Sequence, residues 1–231
     1  DRTIKRELLR KMLGTVHREP ESPALISSLG MPTKDRPLLL GPSLESFIKN
    51  ACEYGHKTTF TIVDDSEEPA NRQLNRTTLI RLRAQYHSDL FYISRDDRRQ
   101  YAQRLHQHSG VPLRTINFCL LGVDDIRIKM GAVRNTLQLK TLGELNLQMD
   151  DDTICRLASV EENAQCLTLT SKNEAKTVFF KDDRFIDAME TRSIDWIQLH
   201  ETHLGKRVFS EDILNQNVCF ETQCDVSGLY P

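Results

Sequence analysis

The chain has 231 residues, 39% of them hydrophobic and 28% charged, which suits one sizeable domain or one domain with an appendage. Its 31 lysines and arginines against 33 aspartates and glutamates give a formal charge of −2, so no overall basic field is present to hold nucleic acid or an anionic membrane. Partners must be recognised locally.

In chain order, "TIKRELLRKMLGTV" (3 to 16) spaces Ile4, Leu8, Leu9 and Leu13 as on a helix, and "HREPESP" interrupts it with two prolines. A helical extension and linker over residues 1–22 is the expectation, with one domain over 23–231. "PALISSLGMPT" (23 to 33) predicts a short buried strand, and "SLESFIKNACEYG" (43 to 55) an amphipathic helix closed near Gly55. Pro42 should kink that helical stretch or force a restart after Gly41, because proline lacks the N–H donor and clashes with the preceding turn. "KTTFTIVDDS" (57 to 66) predicts a β-branched strand running into two aspartates. Strand, helix, strand argues for a parallel sheet with right-handed crossovers.

Residues 71 to 109 predict densely charged helices around a short strand, "DLFYIS". Their basic residues alternate with acids, which indicates a solvated helix face and not a nucleic-acid surface. A helix from about Ala132 to Leu142 then delivers the chain into "LNLQMDDDTIC" (145 to 155). Leu145, Leu147 and Met149 fall on one face of that strand, and three acids follow its carboxyl end. Beyond them, "AQCLTLTS" and "KTVFFK" are strand-like, and a helix is expected over 182 to 205.

The six cysteines, at 52, 119, 155, 166, 219 and 224, form no CxxC pair, which points to buried reduced thiols over a disulfide frame or zinc site. A cytoplasmic location is the corresponding expectation, with peripheral attachment to a membrane left open. The longest apolar runs, about five residues, are far too short for a membrane span. "HETHLG" (200 to 205) has a His-to-His spacing of three, not the four of a helical HExxH site, so a helix end capped by Gly205 is the better reading.

Two strands thus end in acids, at Asp64-Asp65-Ser66 and Asp150-Asp151-Asp152, on the same edge of a parallel sheet. Such acids repel one another unless a cation or donor groups lie beside them; a solvated turn is the alternative. The chemistry that suits the pattern is a nucleoside diphosphate held through a divalent metal, Mg²⁺ or Mn²⁺. The metal would act as a Lewis acid on the departing diphosphate.

"ISSLGMPTKDRPLLLGPSLESFI", "TIVDDS", "GAVRN", "TLGE" and "MDDDT" resemble, in order and spacing, the nucleotide-sugar-binding half of GT-A glycosyltransferases of the family-two type, over roughly residues 23 to 156. The resemblance implies a GT-A fold, an α/β, Rossmann-like, mostly parallel sheet flanked by helices, with residues 157–231 as the acceptor side, where Glu201 and His203 are candidates. It implies a hexosyltransferase-class enzyme that uses Mn²⁺ or Mg²⁺ to move a sugar, with inversion, from a nucleoside-diphosphate sugar (UDP-sugar favoured) to a saccharide, lipid or peptide. Carried over, Pro32 and Thr33 line the nucleotide pocket, Asp65 contacts the base, and Arg134 lies near the nucleotide or its phosphates. Asp150 holds ribose or sugar hydroxyls, Asp152 ligates the metal, and Asp151 shares either task. Lys34 stands where these enzymes commonly carry an aromatic residue. The acidic pair in "FSEDIL" supplies the general base, Asp212 or Glu211, or alternatively only caps a helix. A sugar-phosphate nucleotidyltransferase is the alternative enzyme, but "MPTKDRP" lacks the glycines expected of its loop. A non-catalytic nucleotide- or metal-binding module is the alternative without chemistry.

Overall fold

The structure, a computed structural model, describes residues 25–123, 129–158, 168–169, 191–192, 194–204 and 219–220. The chain divides into two compact units, the larger formed by Leu25–Cys155 with Asp195–Ile197. That unit is an α/β fold around a four-stranded, all-parallel sheet: β1 (Ile26–Thr33), β2 (Thr59–Asp64), β3 (Leu90–Ile93) and β4 (Leu145–Gln148), in the order β3-β2-β1-β4. The described residues contain no helix long and apolar enough to cross a membrane.

The order follows from the connections. Helix α1 (Pro37–Glu53) links β1 to β2, and α2 (Pro69–Tyr86) links β2 to β3. Three helices, α3 (Arg95–Ser109), α4 (Leu113–Leu121) and α5 (Met130–Lys140), then carry the chain back across β1 to β4. β1 therefore lies between β2 and β4: the chain leaves it toward β2 and returns from β3 to pair β4 along its other edge. β1 is buried at all but one position, as a strand covered on both faces must be, and Ser28 and Thr33 are among its buried residues. Gly30 sits where α5 approaches: a methyl there would lie 3.0 Å from Leu137 and 3.0 Å from Asn146 Oδ1, so only glycine leaves room. Val63, Val133 and Leu137 close the core beneath α5.

Helix α1 corrects the expected start and, of the two outcomes expected at Pro42, the restart. It starts at Pro37, ahead of the predicted Ser43, and Pro42 lies inside it without ending it. One ladder bond and a clash at Pro42 cost roughly 3 kcal/mol. Leu40, Leu44, Phe47 and Ile48 are all buried, and each contributes roughly 1.5–3 kcal/mol, so packing wins. Helix α2 begins with Pro69 and ends at His87 in the left-handed region, whereas α3 begins with a reciprocal capping box between Ser94 and Asp97. Helix α4 adds an element that the sequence reading lacks. The cysteine expectation also changes: Cys52, Cys119 and Cys155 are free, but the first two are exposed on helix faces turned from the core.

The second unit comprises Asp1–Ala24, Arg156–Ile194 and Gln198–Pro231. Its described strands are short: Leu157–Ala158 pairs antiparallel with Thr191–Arg192, and Thr168–Leu169 pairs parallel with Cys219–Phe220. The helix expected over 182–205 is not continuous, because Thr191–Arg192 is extended and α6 spans only Trp196–His203. Ser193 and Asp195, which favour helix starts over helix interiors, stand just before it. Most of "AQCLTLTS", all of "KTVFFK" and the expected leading helix at 3–16 lie outside the described residues.

Candidate functional site

The carboxyl ends of β1, β2 and β4 meet where the strand order reverses, the position at which open α/β sheets present a crevice. A cleft of about 480 Å³ lies there. Pro32, Thr33, Asp65, Arg134, Asp150, Asp151 and Asp152 all line it, so the residues expected on the donor side converge from three strand ends and one helix. Lys34, Asp35, Arg36, Lys129, Met130 and Val133 complete the lining.

The two adjacent aspartates after β2 do different work. Asp64 is fully buried and accepts from the Ser66 amide at 2.7 Å, Asn75 Nδ2 at 2.8 Å and the Tyr92 hydroxyl at 2.6 Å. Burial first, and then this bond to Asp64, push the Tyr92 hydroxyl far above the ordinary tyrosine range. Asp65 continues the ladder, its amide donating to Thr33 O at 2.9 Å. One of its carboxylate oxygens accepts from the buried Arg98 guanidinium, and its Oδ2, also buried, has no protein partner among the described residues. The unpaired oxygen belongs to a residue of the cleft lining, where a ligand N–H or O–H would satisfy it.

Arg98 is the residue that the sequence reading missed. It is wholly buried, donating to Leu120 O at 3.0 Å and Asp64 O at 3.4 Å besides Asp65, although a solvated helix face was expected there. A signal existed: Arg98, Ala102 and Leu105 stand at i, i+4 and i+7, the stripe that α3 turns toward the core.

The acid triplet is a turn, but not a free one. Ser43 Oγ of α1 donates to Thr153 O at 2.6 Å and Asp150 O at 3.3 Å, while Ser46 Oγ accepts from the Cys155 amide at 2.8 Å. Asp151 points inward, 5% exposed, and accepts from Thr33 Oγ1 at 2.7 Å. Burial pushes its carboxyl above the ordinary value, with Asp152 adding to the rise, while the Thr33 bond and Arg36 work against it. Asp150 and Asp152 face outward, Asp150 lying 3.6 Å from Arg134 and Asp152 lying 3.1 Å from Arg36.

The β1–α1 loop is fixed by Asp35, which adopts a left-handed backbone. Its amide donates to Ser66 Oγ, and its carboxylate accepts from the amides of Glu67 and Glu68 and from Asn71. Burial opposes ionisation of Asp35, but these donors and Lys34 outweigh it and hold the carboxyl below its ordinary value.

Among the described residues no three His, Cys, Asp or Glu side chains converge to hold a metal ion. An ion at Asp152 would therefore take one or two carboxylates from the protein and the rest of its shell from ligand oxygens and water, as Mg²⁺ commonly does. Glu201 and His203 belong to the second unit, and Glu211 and Asp212 lie outside the described residues.

Fold and cleft define an open, parallel α/β protein with a crevice lined largely by charged residues at its topological switch point. No protein family, curated protein or solved structure matches the chain.

Proposed function

We propose that the cleft binds a nucleoside-diphosphate sugar, UDP-sugar favoured, together with Mn²⁺ or Mg²⁺, and that the protein is a GT-A type glycosyltransferase. What supports this reading above all is that all seven donor-side residues line one cleft. Its volume falls in the range of small-ligand sites, roughly 300–1,000 Å³.

On this reading Asp65 Oδ2 accepts from a base N–H, and Pro32 and Thr33 form the wall beside it. Asp150 accepts from ribose or sugar hydroxyls, Arg134 offers its guanidinium to phosphate oxygens, and Asp151 stays behind the wall to hold Thr33. Asp152 ligates the divalent ion, whose charge would stabilise the diphosphate as leaving group. The acceptor hydroxyl oxygen attacks the anomeric carbon as the bond to the diphosphate oxygen breaks, with inversion. The nucleoside diphosphate leaves with the bonding electrons, and the acceptor proton passes to a general base, the role that the sequence resemblance gives to Asp212 or Glu211.

Calorimetry with UDP, GDP and their sugars, in Mn²⁺ and in chelator, tests this directly, coupled to detection of free sugar from slow hydrolysis. Metal-dependent binding with sugar release is expected, and Asp152→Asn should weaken it far more than Glu201→Gln. Binding without any turnover points to a non-catalytic nucleotide-binding module, and no binding at all removes the proposal.

A further inference from the structure

Arg36 occupies an unusual place in the cleft. Its carbonyl accepts from the amides of Leu39 and Leu40, which fixes its backbone at the start of α1. Its side chain is 54% exposed and reaches the acid turn, 3.1 Å from Asp152 Oδ2 and 3.5 Å from Asp151 Oδ1. Asp151 is anchored independently by Thr33. Asp152 is half exposed, and Arg36 is the cation beside it. The second sign that this cleft receives a ligand is separate from the acids of the turn: the buried, unpartnered Oδ2 of Asp65.

We propose that Arg36 is a displaceable counter-ion, which neutralises Asp151 and Asp152 until a divalent cation arrives and then turns its guanidinium to the phosphate oxygens accompanying that cation. This deepens, and rests on, the nucleoside-diphosphate reading above. Three consecutive carboxylates repel one another, and a cation within reach reduces that cost. An exposed arginine–aspartate pair is only modestly favourable, so it can be given up. A doubly charged ion attracts the same carboxylate more strongly at equal distance. The freed guanidinium then has a suitable partner, because its planar fork matches paired phosphate oxygens.

The two halves of the exchange predict opposite effects for one substitution. Mn²⁺ alone is titrated into the full chain and followed by the paramagnetic resonance signal of the free ion, for the wild type, Arg36→Gln and Arg36→Lys. UDP and GDP are then titrated at saturating Mn²⁺. Losing the competing charge should tighten Mn²⁺ binding by Arg36→Gln roughly threefold or more. Losing the phosphate partner should weaken nucleoside diphosphate binding roughly tenfold. Arg36→Lys, which keeps the charge without the fork, should leave Mn²⁺ binding near wild type and recover only part of the nucleotide affinity. Thermal melts of the variants report whether the fold is intact. Mn²⁺ binding by the wild type that Arg36→Gln leaves unchanged or weakens overturns the counter-ion role while the nucleotide reading stands. If neither protein binds Mn²⁺ and neither nucleotide binds in its presence, both fall together.

Discussion

Replacing Arg98 by methionine should be among the most damaging single changes in the larger unit. The guanidinium is wholly buried and donates to two carbonyls and the Asp65 carboxylate, which is itself 2% exposed. Methionine fills much of the volume but supplies no donor, leaving a buried carboxylate uncompensated at about 3–5 kcal/mol. Against a total stability of about 5–15 kcal/mol for a typical domain, that is a large fraction. The chain has a single tryptophan, Trp196, whose ring meets Phe47 edge-on with centroids 4.9 Å apart inside this unit. Its fluorescence during urea unfolding therefore reports on the unit that holds Arg98. Asp65→Leu alone should also cost several kcal/mol, because it leaves Arg98 as the unpaired ion. The double variant Arg98→Met/Asp65→Leu should cost less than the two single losses together by about 2 kcal/mol or more. A single-variant loss below about 1 kcal/mol, or a strictly additive cycle, would show that water already solvates the pair and that Arg98 does not hold Asp65.

Three further outcomes are expected. Gly30→Ala should destabilise by about 1–3 kcal/mol in the same urea assay, since its methyl would press on Leu137 and Asn146, whereas Gly131→Ala, with open space at that position, should stabilise by a few tenths of a kcal/mol. Asp151 has its carboxyl raised by burial, so it contributes stability below the ordinary carboxylate range that is lost as pH rises through the raised value. Asp151→Asn should thus gain stability relative to wild type as pH rises through that window and match it in acid; a gap independent of pH removes this account. Burial pushes the Cys155 thiol up to about 11, so iodoacetamide near neutral pH should label the exposed Cys52 and Cys119 well before Cys155, as read by peptide mass spectrometry.

The legible parts of the sequence were those where one local signal dominates. Apolar and β-branched runs marked β1 and β2, and the acids that follow β2 and β4 carried the prediction that two strands deliver carboxylates to one edge. The structure adds the strand order that brings those ends together. Pro42 forces no restart because the four apolar side chains that α1 buries outweigh the local cost of the proline. Helix α4 had its signals, Pro112 before it, Ile116 and Leu120 four apart and Gly122 after it, but they were spread over a mixed segment. Arg98 was hidden for another reason. A charged residue in a charged helix is ordinarily solvated, and Arg98 is buried because the Asp65 carboxylate, 33 residues earlier, and the carbonyls of Asp64 and Leu120 accept from it. Arg36 and Lys129 escaped notice because a cleft-lining cation is defined by what lies across the cleft, which local sequence does not contain.

The turn "MDDDT" divides its acids by geometry. Asp151, alternating inward, is held by Thr33 of the neighbouring strand, and this fixes Asp150 and Asp152 outward on either side of it. The three are therefore not equivalent charges in a solvated loop. The cleft carries five carboxylates and four lysine or arginine side chains, so it is neither a simple anion hole nor a cation cage. A bare phosphate ester would meet repulsion from the acids, and a bare divalent ion would meet it from Arg36, Lys129 and Arg134. A ligand that brings both signs, a diphosphate with its ion, can exchange partners with both sets, Arg36 and Arg134 passing from Asp152 and Asp150 to phosphate oxygens. The pairs that exchange are about half exposed, so each is weak enough to be given up, and the complex leaves neither set of charges without a partner. That is the physical reason to favour a metal–nucleotide complex over either component alone.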